Sequence, residues 1–478
     1  MSIKQELRPI FEPTSIAFVG ASNVFGKWGN RMIANAYRSG FPGPIYPVNP
    51  KEEEVIGLKA YPSVLEIPGD VDLAVFTMTA DQVPRGLREC AQKGVRGAVI
   101  ISAGFAEAGS RGQALQEECN QVAKAAGIRF VGPNCMGVYS SSGRLNLAFD
   151  AGRASVNPGS VAFISQSGTL GTYLAINASM KGYGLCKFVS AGNQANISFA
   201  DYLEYLRDDP HTRTIILYIE GLSDGRRFFE AAKDVVRYKP ILAYKAGRTK
   251  VGARASLSHT ASLTGADEVF DAMCRQVGII RGNEVMHPFE MAEALTRQPL
   301  PKGNRVAVIS GGGGQCVTIA DACAGIGLEL PEFDEEVQAR IRKFLAPHAP
   351  DPRNPVDLAA AGGPQTVAAI TDLVAQVDYI DGIITTQPFG AMGRRTTPEA
   401  ARAMIAAAEM IAVIPRKYGK PVITIGMRFG GSVASDILAN ADIPAYEEPE
   451  ETAIAMAALA KYSEVRRFAT EDGSAQSG

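Results

Sequence analysis

The sequence lacks an excess of charge of either sign, a long apolar run and any closely spaced cysteine pair. Its 478 residues carry 48 Lys and Arg against 50 Asp and Glu, so no basic surface in excess is available for nucleic acid. No apolar run approaches the roughly 18 residues of a membrane span, and the N-terminus has no basic segment followed by an apolar one. We therefore expect a cytoplasmic protein without a nucleic-acid or membrane partner.

The seven cysteines are scattered and nowhere spaced as CxxC, which argues against a disulfide framework and against a zinc site. We expect reduced thiols and no metal site. Cys135, in GPNCMG, follows an apolar run but has no nearby histidine or basic residue to lower its pKa, so we interpret it as a small buried side chain. The motif G-x-S-x-G is also missing, which disfavours a serine hydrolase.

Short β-branched runs alternate with longer amphipathic segments along most of the chain, as in SIAFVG, LAVFTM and GAVII. This rhythm is typical of βαβ units and predicts an α/β fold with parallel sheets. It restarts after a polar loop that begins near Ser140, and again after Pro299 and Pro301. We predict domains over 1–138, 156–298 and 302–465, followed by a polar tail over 466–478.

A glycine-rich turn, VGASNVFGKWG, follows the first predicted strand and precedes a helix. Its backbone N–H groups can face a phosphate, helped by the positive end of the helix. The spacing is not G-x-G-x-x-G and no acidic residue ends the next strand, which disfavours a nicotinamide cofactor. The alternative is a turn that only packs strand on helix.

Two further turns, SQSGT and SGGGGQ, stand at equivalent places in the last two predicted domains, within VAFISQSGTLG and VAVISGGGGQC. Each offers consecutive N–H donors and hydroxyls at a helix start, and two such turns facing each other would form a strong anion site. Either turn alone also fits a plain tight connection.

Histidine is scarce, and three of the four histidines lie next to proline-containing turns. The exception is His259, which lies in RASLSHTASLTG, a stretch of small and hydroxyl side chains that does not suit a core strand. A neutral imidazole nitrogen can attack phosphorus near pH 7, while the other ring nitrogen needs an acceptor. Glu220, at the end of TIILYIEG, is a candidate acceptor, although a lone histidine is more often structural.

These segments together resemble the NDP-forming acyl-CoA synthetases, the ADP-forming acetyl-CoA synthetase type related to succinyl-CoA synthetase. The matching stretches are VGAS, VISAGFAEAG, GPNCMG, SQSGTLG, YIEG, KAGRTKVGARASLSHTASLTG, VAVISGGGG and NPVDL. The resemblance implies a Rossmann-like CoA-binding domain followed by two flavodoxin-like ligase domains. It also implies a reversible ligase that works through an acyl phosphate and a phosphohistidine on His259, with Glu220 orienting the imidazole.

The resemblance carries binding roles to particular positions of this sequence. The implied CoA-binding residues are Gly20, Ala21, Ser22, Lys27 and Ser102, and the implied phosphate-binding residues are Ser165, Gln166, Ser167, Gly168, Gly311, Gly312 and Gly313. This chain departs from the usual family pattern at Ala261, Thr264 and Asn196.

No ATP-grasp domain is recognisable after residue 465. We therefore expect an α-type subunit of a hetero-oligomer, with ATP or ADP and Mg²⁺ bound by a separate β-type ATP-grasp subunit, and a small carboxylic acid as substrate. Two alternatives stay open: an acyl-CoA or acyl-phosphate transferring enzyme that uses His259 without ATP, and a CoA-binding module without catalysis.

Overall fold

The computed structural model describes residues 2–150, 156–254, 266–387, 397–426 and 432–475. The chain forms two compact units, Met1–Met286 and His287–Gly478. Helices alternate with strands, and most strand pairs of the three larger sheets are parallel, which confirms the predicted α/β class. Within the described residues, no helix combines the length and the apolar character needed to cross a membrane.

The first unit opens with a five-stranded parallel sheet in the order β2-β1-β5-β6-β7. Its strands are Ile16–Val19 (β1), Ile45–Val48 (β2), Leu73–Phe76 (β5), Gly97–Ile100 (β6) and Arg129–Val131 (β7). A small antiparallel ribbon, Glu54–Val55 (β3) and Leu58–Lys59 (β4), follows β2. The helices are Ile3–Phe11 (α1), Trp28–Arg38 (α2), Val83–Lys93 (α3) and Ser110–Ala126 (α4). Strands β1, β5 and β6 are buried at every residue, as expected for a parallel sheet covered on both faces.

Strand β2 pairs with one edge of β1, and β5 pairs with the other. The strand order therefore reverses at β1, which makes β1 the topological switch point of this sheet. Such a switch point opens a crevice at the carboxyl ends of the strands, where ligands bind in open α/β sheets. The turns after β1 and β5 meet at this crevice.

The second sheet of the same unit has seven strands in the order β14-β13-β12-β10-β11-β8-β9. They are Val138–Ser140 (β8), Leu145–Asn146 (β9), Asn157–Ser165 (β10), Gly184–Ser190 (β11), Thr214–Ile219 (β12), Ile241–Lys245 (β13) and Ile280–Arg281 (β14). The helices are Gly168–Met180 (α5), Phe199–Arg207 (α6), Gly225–Val235 (α7) and Asp267–Val277 (α8). Strands β10 to β14 pair in parallel, whereas β8 is antiparallel to β11 and to β9.

The described start of the segment expected to be a polar connection between the first two domains, residues 140–146, therefore contributes to the second sheet. Leu145, Leu147 and Phe149 are at most 1% exposed, and the Phe149 ring packs on Phe188 of β11. The segment opens with serines and a glycine, so its composition predicted a loop although apolar side chains follow.

The second unit contains a five-stranded parallel sheet in the order β16-β15-β17-β18-β19. Its strands are Val306–Ser310 (β15), Val356–Asp357 (β16), Gly382–Thr386 (β17), Val422–Ile425 (β18) and Ala445–Tyr446 (β19). Its helices are His287–Arg297 (α9), Gly313–Gly325 (α10), Glu335–Arg342 (α11), Pro364–Ala375 (α12), Pro398–Ala412 (α13), Ile414–Tyr418 (α14), Val433–Asn440 (α15) and Pro449–Ala475 (α16).

Helix α16 differs from the sequence expectation, because it continues through most of the segment predicted as a polar tail from residue 466. After Pro449 the helical stretch contains no further proline and one glycine, Gly473, so little in the backbone chemistry stops the helix.

One ion pair is fully enclosed in the second sheet. The Lys187 ammonium is 0% exposed and lies 2.8 Å from the Asp209 carboxylate, which also accepts a hydrogen bond from the Thr212 hydroxyl. Burial by itself raises the pKa of Asp209, but the hydrogen bonds from Lys187 and Thr212 outweigh it and lower the pKa below its usual value. The carboxylate therefore stabilises the fold above its unfolded-state pKa, and this contribution is lost as the pH falls through the lowered value.

We predict that Lys187→Met lowers the stability of the first unit by about 3 to 5 kcal/mol, because Asp209 is left buried and charged without its partner. The double variant Lys187→Met/Asp209→Leu should recover most of this loss. Urea unfolding followed by circular dichroism measures both. As a control, Arg85→Ala removes an exposed pair with Glu89 and should cost less than about 1 kcal/mol. A single variant as stable as the parent would contradict the prediction.

Candidate active site

A cavity of about 1200 Å³ lies at the carboxyl ends of strands of the first two sheets. The first sheet contributes residues that follow β1, β5, β6 and β7, and the second sheet contributes residues that follow β10, β11 and β12. Among the lining residues only Glu107 and Glu220 are charged, and none is a lysine, arginine or histidine. An anion bound here by the described lining would therefore rely on backbone and neutral side-chain donors.

The turn Ser165–Gly168 joins β10 to α5, and Ser167 and Gly168 line the cavity. Ser167 is the N-cap of α5, and the first N–H groups of a helix have no carbonyl partner within it. These groups and the positive end of the helix dipole suit a phosphoryl group. Ser165 is 0% exposed and donates its hydroxyl to the Ser167 carbonyl at 2.8 Å, so it shapes the turn from inside.

Gln166 connects this turn to the candidate acceptor residue. Its side-chain oxygen accepts the backbone N–H groups of Glu220 and Gly221, and its side-chain nitrogen donates to the Gly221 carbonyl at 2.9 Å. Its own N–H donates to the Tyr218 carbonyl at 3.1 Å. The Gln166 side chain is therefore hydrogen-bonded to the backbone at Glu220 and Gly221. The role of Gln166 as a phosphate ligand stays a prediction.

Glu220 follows β12, lines the cavity and is 8% exposed. Burial raises the pKa of the Tyr218 hydroxyl, and the nearby Glu220 carboxylate raises it further. The structure thus brings Glu220 and the turn 165–168 to one cavity, and the roles predicted for these residues stay predictions.

Four of the five predicted CoA-binding residues follow β1, at the switch point of the first sheet, and Ser102 follows β6. Gly20 has φ +93°, and a Cβ there would lie 3.0 Å from the Thr77 hydroxyl, so this turn requires glycine. Ala21 is buried, and its carbonyl accepts a hydrogen bond from Asn49 at 2.8 Å.

The other three predicted CoA-binding residues differ in exposure. Ser22 is half-buried, Lys27 is exposed as the N-cap of α2, and Ser102 is 8% exposed with its hydroxyl donating to the Met78 carbonyl at 2.5 Å. Of the five, only Ser102 belongs to the cavity lining.

Sequence reasoning missed a polar network that joins the two sheets across the cavity. The Glu107 carboxylate accepts the N–H groups of Gly104 and Phe105 at 2.6 and 3.1 Å, and the Asn193 side chain at 2.5 Å. Asn193 also donates to Gln116 at 3.0 Å. Burial raises the pKa of Glu107, but these hydrogen bonds outweigh it and lower the pKa below its usual value. Glu107 lies within VISAGFAEAG, in the segment that follows β6. That position after a strand could have indicated that Glu107 lies near the ligand-binding edge of the sheet.

The second glycine turn, Gly311–Gly313, belongs to the other unit and opens helix α10. A Cβ on Gly313 would lie 2.8 Å from a carboxylate oxygen of Asp357, so this helix start already has an acidic side chain beside it. Asp357 belongs to NPVDL, and its composition alone gives no sign of a place beside a helix start. That this turn faces Ser165–Gly168 stays a prediction.

Three residues singled out in the sequence, His259, Ala261 and Thr264, lie outside the described residues. Asn196, a departure from the family pattern, accepts the Phe130 backbone N–H through its side-chain oxygen at 3.1 Å. An aspartate could accept the same hydrogen bond, so this substitution preserves the contact.

All seven cysteines are buried and unpaired. Burial raises the pKa of Cys135 to about 12, and its thiol donates to the Ile100 carbonyl at 3.3 Å. The interpretation of Cys135 as a small buried side chain is confirmed.

Three family models match consecutive parts of the chain. They are described as a CoA binding domain over residues 14–141, a succinyl-CoA ligase like flavodoxin domain over 158–295 and a Ligase-CoA domain over 306–470. The chain is thus similar to CoA-binding and ligase domains over nearly its whole length.

Named relatives and a solved structure agree with these matches. The α subunit of ADP-forming acetate–CoA ligase II from Pyrococcus furiosus is 40% identical over 452 residues, which are 94% of this chain and 96% of the relative. The ADP-forming 4-hydroxybutyrate–CoA ligase of Nitrosopumilus maritimus is 31% identical over 95% of this chain and 64% of the relative.

The dinucleotide-forming acetyl-coenzyme A synthetase 1 of Ca. Korarchaeum cryptofilum, solved in complex with phosphate and ADP, superposes with a TM-score of 0.85. It is 34% identical and each chain is covered to 98%. This full-length similarity shows that the chain belongs to the ADP-forming acyl-CoA ligase family, among its α subunits.

Proposed function

We propose that this α subunit forms acyl-CoA from a carboxylic acid, CoA and ATP through an acyl phosphate and a phosphohistidine on His259. The observation that carries the proposal is the Gln166 side chain, which ties the α5 phosphate turn to Glu220 at one cavity shared with the CoA-binding domain. A phosphoryl group, a carboxylate acceptor for an imidazole and a thiol substrate can thus meet in one place.

The proposed reaction has three steps, and each bond that forms is matched by a bond that breaks. An imidazole nitrogen of His259 takes the γ-phosphoryl of ATP, and ADP leaves. A carboxylate oxygen of the acid then attacks that phosphorus, the P–N bond breaks and an acyl phosphate forms. The CoA sulfur finally attacks the acyl carbon, the C–O bond to phosphate breaks, and the thiol proton passes to solvent or to the departing phosphate. Every step is reversible.

The residues of the cavity support this chemistry by electrostatics and orientation. The N–H groups at the start of α5 stabilise negative charge on the phosphoryl oxygens, which matters most where charge develops during transfer. Glu220 accepts a hydrogen bond from the N–H of the second imidazole nitrogen and so fixes the tautomer in which the first nitrogen is free to attack. Apart from Glu107 and Glu220, the described side chains that line the cavity are neutral, so an acyl group bound among them would have mainly uncharged neighbours.

The names of the relatives as α subunits imply a partner subunit. We propose that this partner is a β-type subunit with an ATP-grasp domain that binds the nucleotide with Mg²⁺. Mg²⁺ prefers carboxylate and phosphate oxygens. In the described cavity the Glu107 carboxylate is already held by three N–H donors, which favours binding of the metal with the nucleotide. The cytoplasm is the proposed compartment, since buried reduced cysteines suit it.

We expect His259→Ala to abolish phosphorylation of the chain and thioester synthesis by the complex with its partner, because the phosphoryl acceptor is gone. Incubation with ³²P-labelled acetyl phosphate and Mg²⁺ should give an acid-labile phosphoprotein with the parent chain and none with His259→Ala. His348→Ala, at an exposed turn, is the control and should label normally. Labelling of His259→Ala at the parent rate would refute the mechanism.

The same assay separates the two alternatives. Thioester formation from acetyl phosphate and CoA that gains nothing from ATP and the partner would favour the ATP-independent transferring enzyme. Binding of CoA without any labelling would favour the CoA-binding module.

Glu220→Gln keeps the size of the side chain and removes its charge. We predict that the rate of phosphohistidine formation falls by about 10²- to 10⁴-fold, the usual range for a group that controls a catalytic proton. The Kd of CoA, measured by calorimetry, should stay within about twofold of the parent value. Glu230→Gln, at an exposed position on α7, is the matched control. A variant that phosphorylates normally would exclude the proposed role.

Gly20→Ala tests the proposed CoA site. A side chain at φ +93° and 3.0 Å from Thr77 costs about 1 to 3 kcal/mol and should displace the turn, so the Kd of CoA should rise about tenfold or more. Gly94→Ala is the control, since Gly94 has φ +84° with open space around it. Equal effects of the two variants on CoA affinity would show that backbone strain alone is responsible.

A further inference from the structure

A lysine beneath the candidate active site is buried in an unusual way. Lys245 ends β13 and is 3% exposed. Its ammonium donates to the carbonyl of Glu220 at 3.1 Å and to the carbonyl of Ala246 at 2.7 Å. Strands β12 and β13 pair in register at Ile219 and Lys245, so the ammonium bridges the backbones that emerge from two neighbouring strands.

Enclosing this ammonium is energetically costly. Burial lowers the pKa of Lys245, Arg281 lowers it further, and the attraction of Asp267 and Glu220 opposes this shift. Among the described residues the ammonium forms no ion pair, and its hydrogen bonds go to carbonyls alone. Burial of a charge without a carboxylate partner is rare in proteins, which indicates that the two carbonyl contacts matter.

The Glu220–Gly221 backbone is thereby held from two sides. Gln166 binds the N–H groups of both residues and the Gly221 carbonyl, and Lys245 binds the remaining carbonyl of Glu220. Both peptide groups that flank the Glu220 Cα are fixed by side chains from adjacent strands. The direction of the Cα–Cβ bond of Glu220, from which its carboxylate extends, follows from the position of these two peptide groups.

Given the proposed function of Glu220, we propose that Lys245 is a positioning residue for phosphoryl transfer, which acts by holding the Glu220 carbonyl and so aiming the Glu220 carboxylate. Lys245 contacts no substrate in this scheme. Its removal should slow phosphoryl transfer and leave CoA binding intact, since its hydrogen bonds go to residues at the ends of β12 and β13 and it does not line the cavity of the candidate active site.

The same strand offers a matched control at its other end. Lys239, two residues before β13, is half-buried, and its ammonium also donates to two carbonyls, those of Leu206 and Asp209, each at 2.6 Å. Burial lowers the pKa of Lys239 as well. Replacing either lysine with methionine removes the same kind of contact from the same sheet, but only Lys245 touches the Glu220 backbone.

The test compares Lys245→Met and Lys239→Met in the full chain, with saturating ³²P-labelled acetyl phosphate as the phosphoryl donor. We expect Lys245→Met to lower the rate constant of phosphohistidine formation about 10- to 100-fold, the effect of a misplacement of about 1 Å. The Kd of CoA should stay within about twofold. Lys239→Met should keep the parent rate constant. If Lys245→Met does not fold, Lys245→Gln, which keeps N–H donors, should fold and show a smaller loss of the same kind.

A double-mutant cycle shows whether Lys245 acts through Glu220. The variant Lys245→Met/Glu220→Gln should be no slower than Glu220→Gln alone, because a displaced group that no longer functions adds no further loss. Multiplicative losses, a parent-like rate in Lys245→Met, or an equal loss in Lys239→Met would each overturn the proposal. His259→Ala in the same assay separates the two hypotheses: if that variant still becomes phosphorylated, the proposed function fails, whatever Lys245 does.

Discussion

Parallel pairing of the strands is the constraint on which the candidate site depends. In a parallel sheet all carboxyl ends lie at one edge, so residues far apart in sequence become neighbours there. Ser165 and Tyr218 are register partners on β10 and β12, and Ile219 and Lys245 on β12 and β13. The α5 turn, Glu220 and Lys245 therefore lie side by side at the carboxyl ends of three adjacent strands, β10, β12 and β13. A slip by one residue would turn every buried side chain of these strands to the opposite face, which secures the arrangement.

Much of this architecture could be predicted from the sequence. The apolar runs that form β1, β5, β6, β10, β12 and β15 are continuous, and each ends at a glycine or hydroxyl turn. Such runs identify buried parallel strands, and the turns after them identify the edge where ligands bind.

Other features could not be predicted, for two physical reasons. Strands such as β8, β9, β14 and β19 contain two or three residues, too few for any hydrophobic period, and they form because a neighbouring strand offers its edge. Gln166, Glu107 and Lys245 each form a hydrogen bond with a residue on a neighbouring segment, and the two bonded residues are 25 to 86 positions apart in the sequence. A short-range pattern in the sequence cannot identify a hydrogen-bond partner that lies so far along the chain.

The two sheets of the first unit are joined by polar contacts as well as by the chain. Arg129, which begins β7, forms ion pairs with Glu6 at 2.9 Å and with Asp201 of α6 at 2.8 Å, and the Asp201 carboxylate is 2% exposed. Glu107 and Asn193 make a second link at the cavity. The walls of the cavity are thus fixed to each other before any substrate arrives, which reduces the entropy lost on binding.

The burial of all seven cysteines has a consequence for an enzyme that handles a thiol substrate. An acyl phosphate and a thioester both react with thiolates, and a disulfide forms readily between a small thiol and an accessible thiolate of a protein. Because burial raises the pKa of each cysteine, including Cys135 at the cavity, these sulfurs remain protonated and shielded at neutral pH. The sulfur of CoA is then the favoured nucleophile for the activated acyl group, and self-acylation or capture of CoA as a mixed disulfide is suppressed.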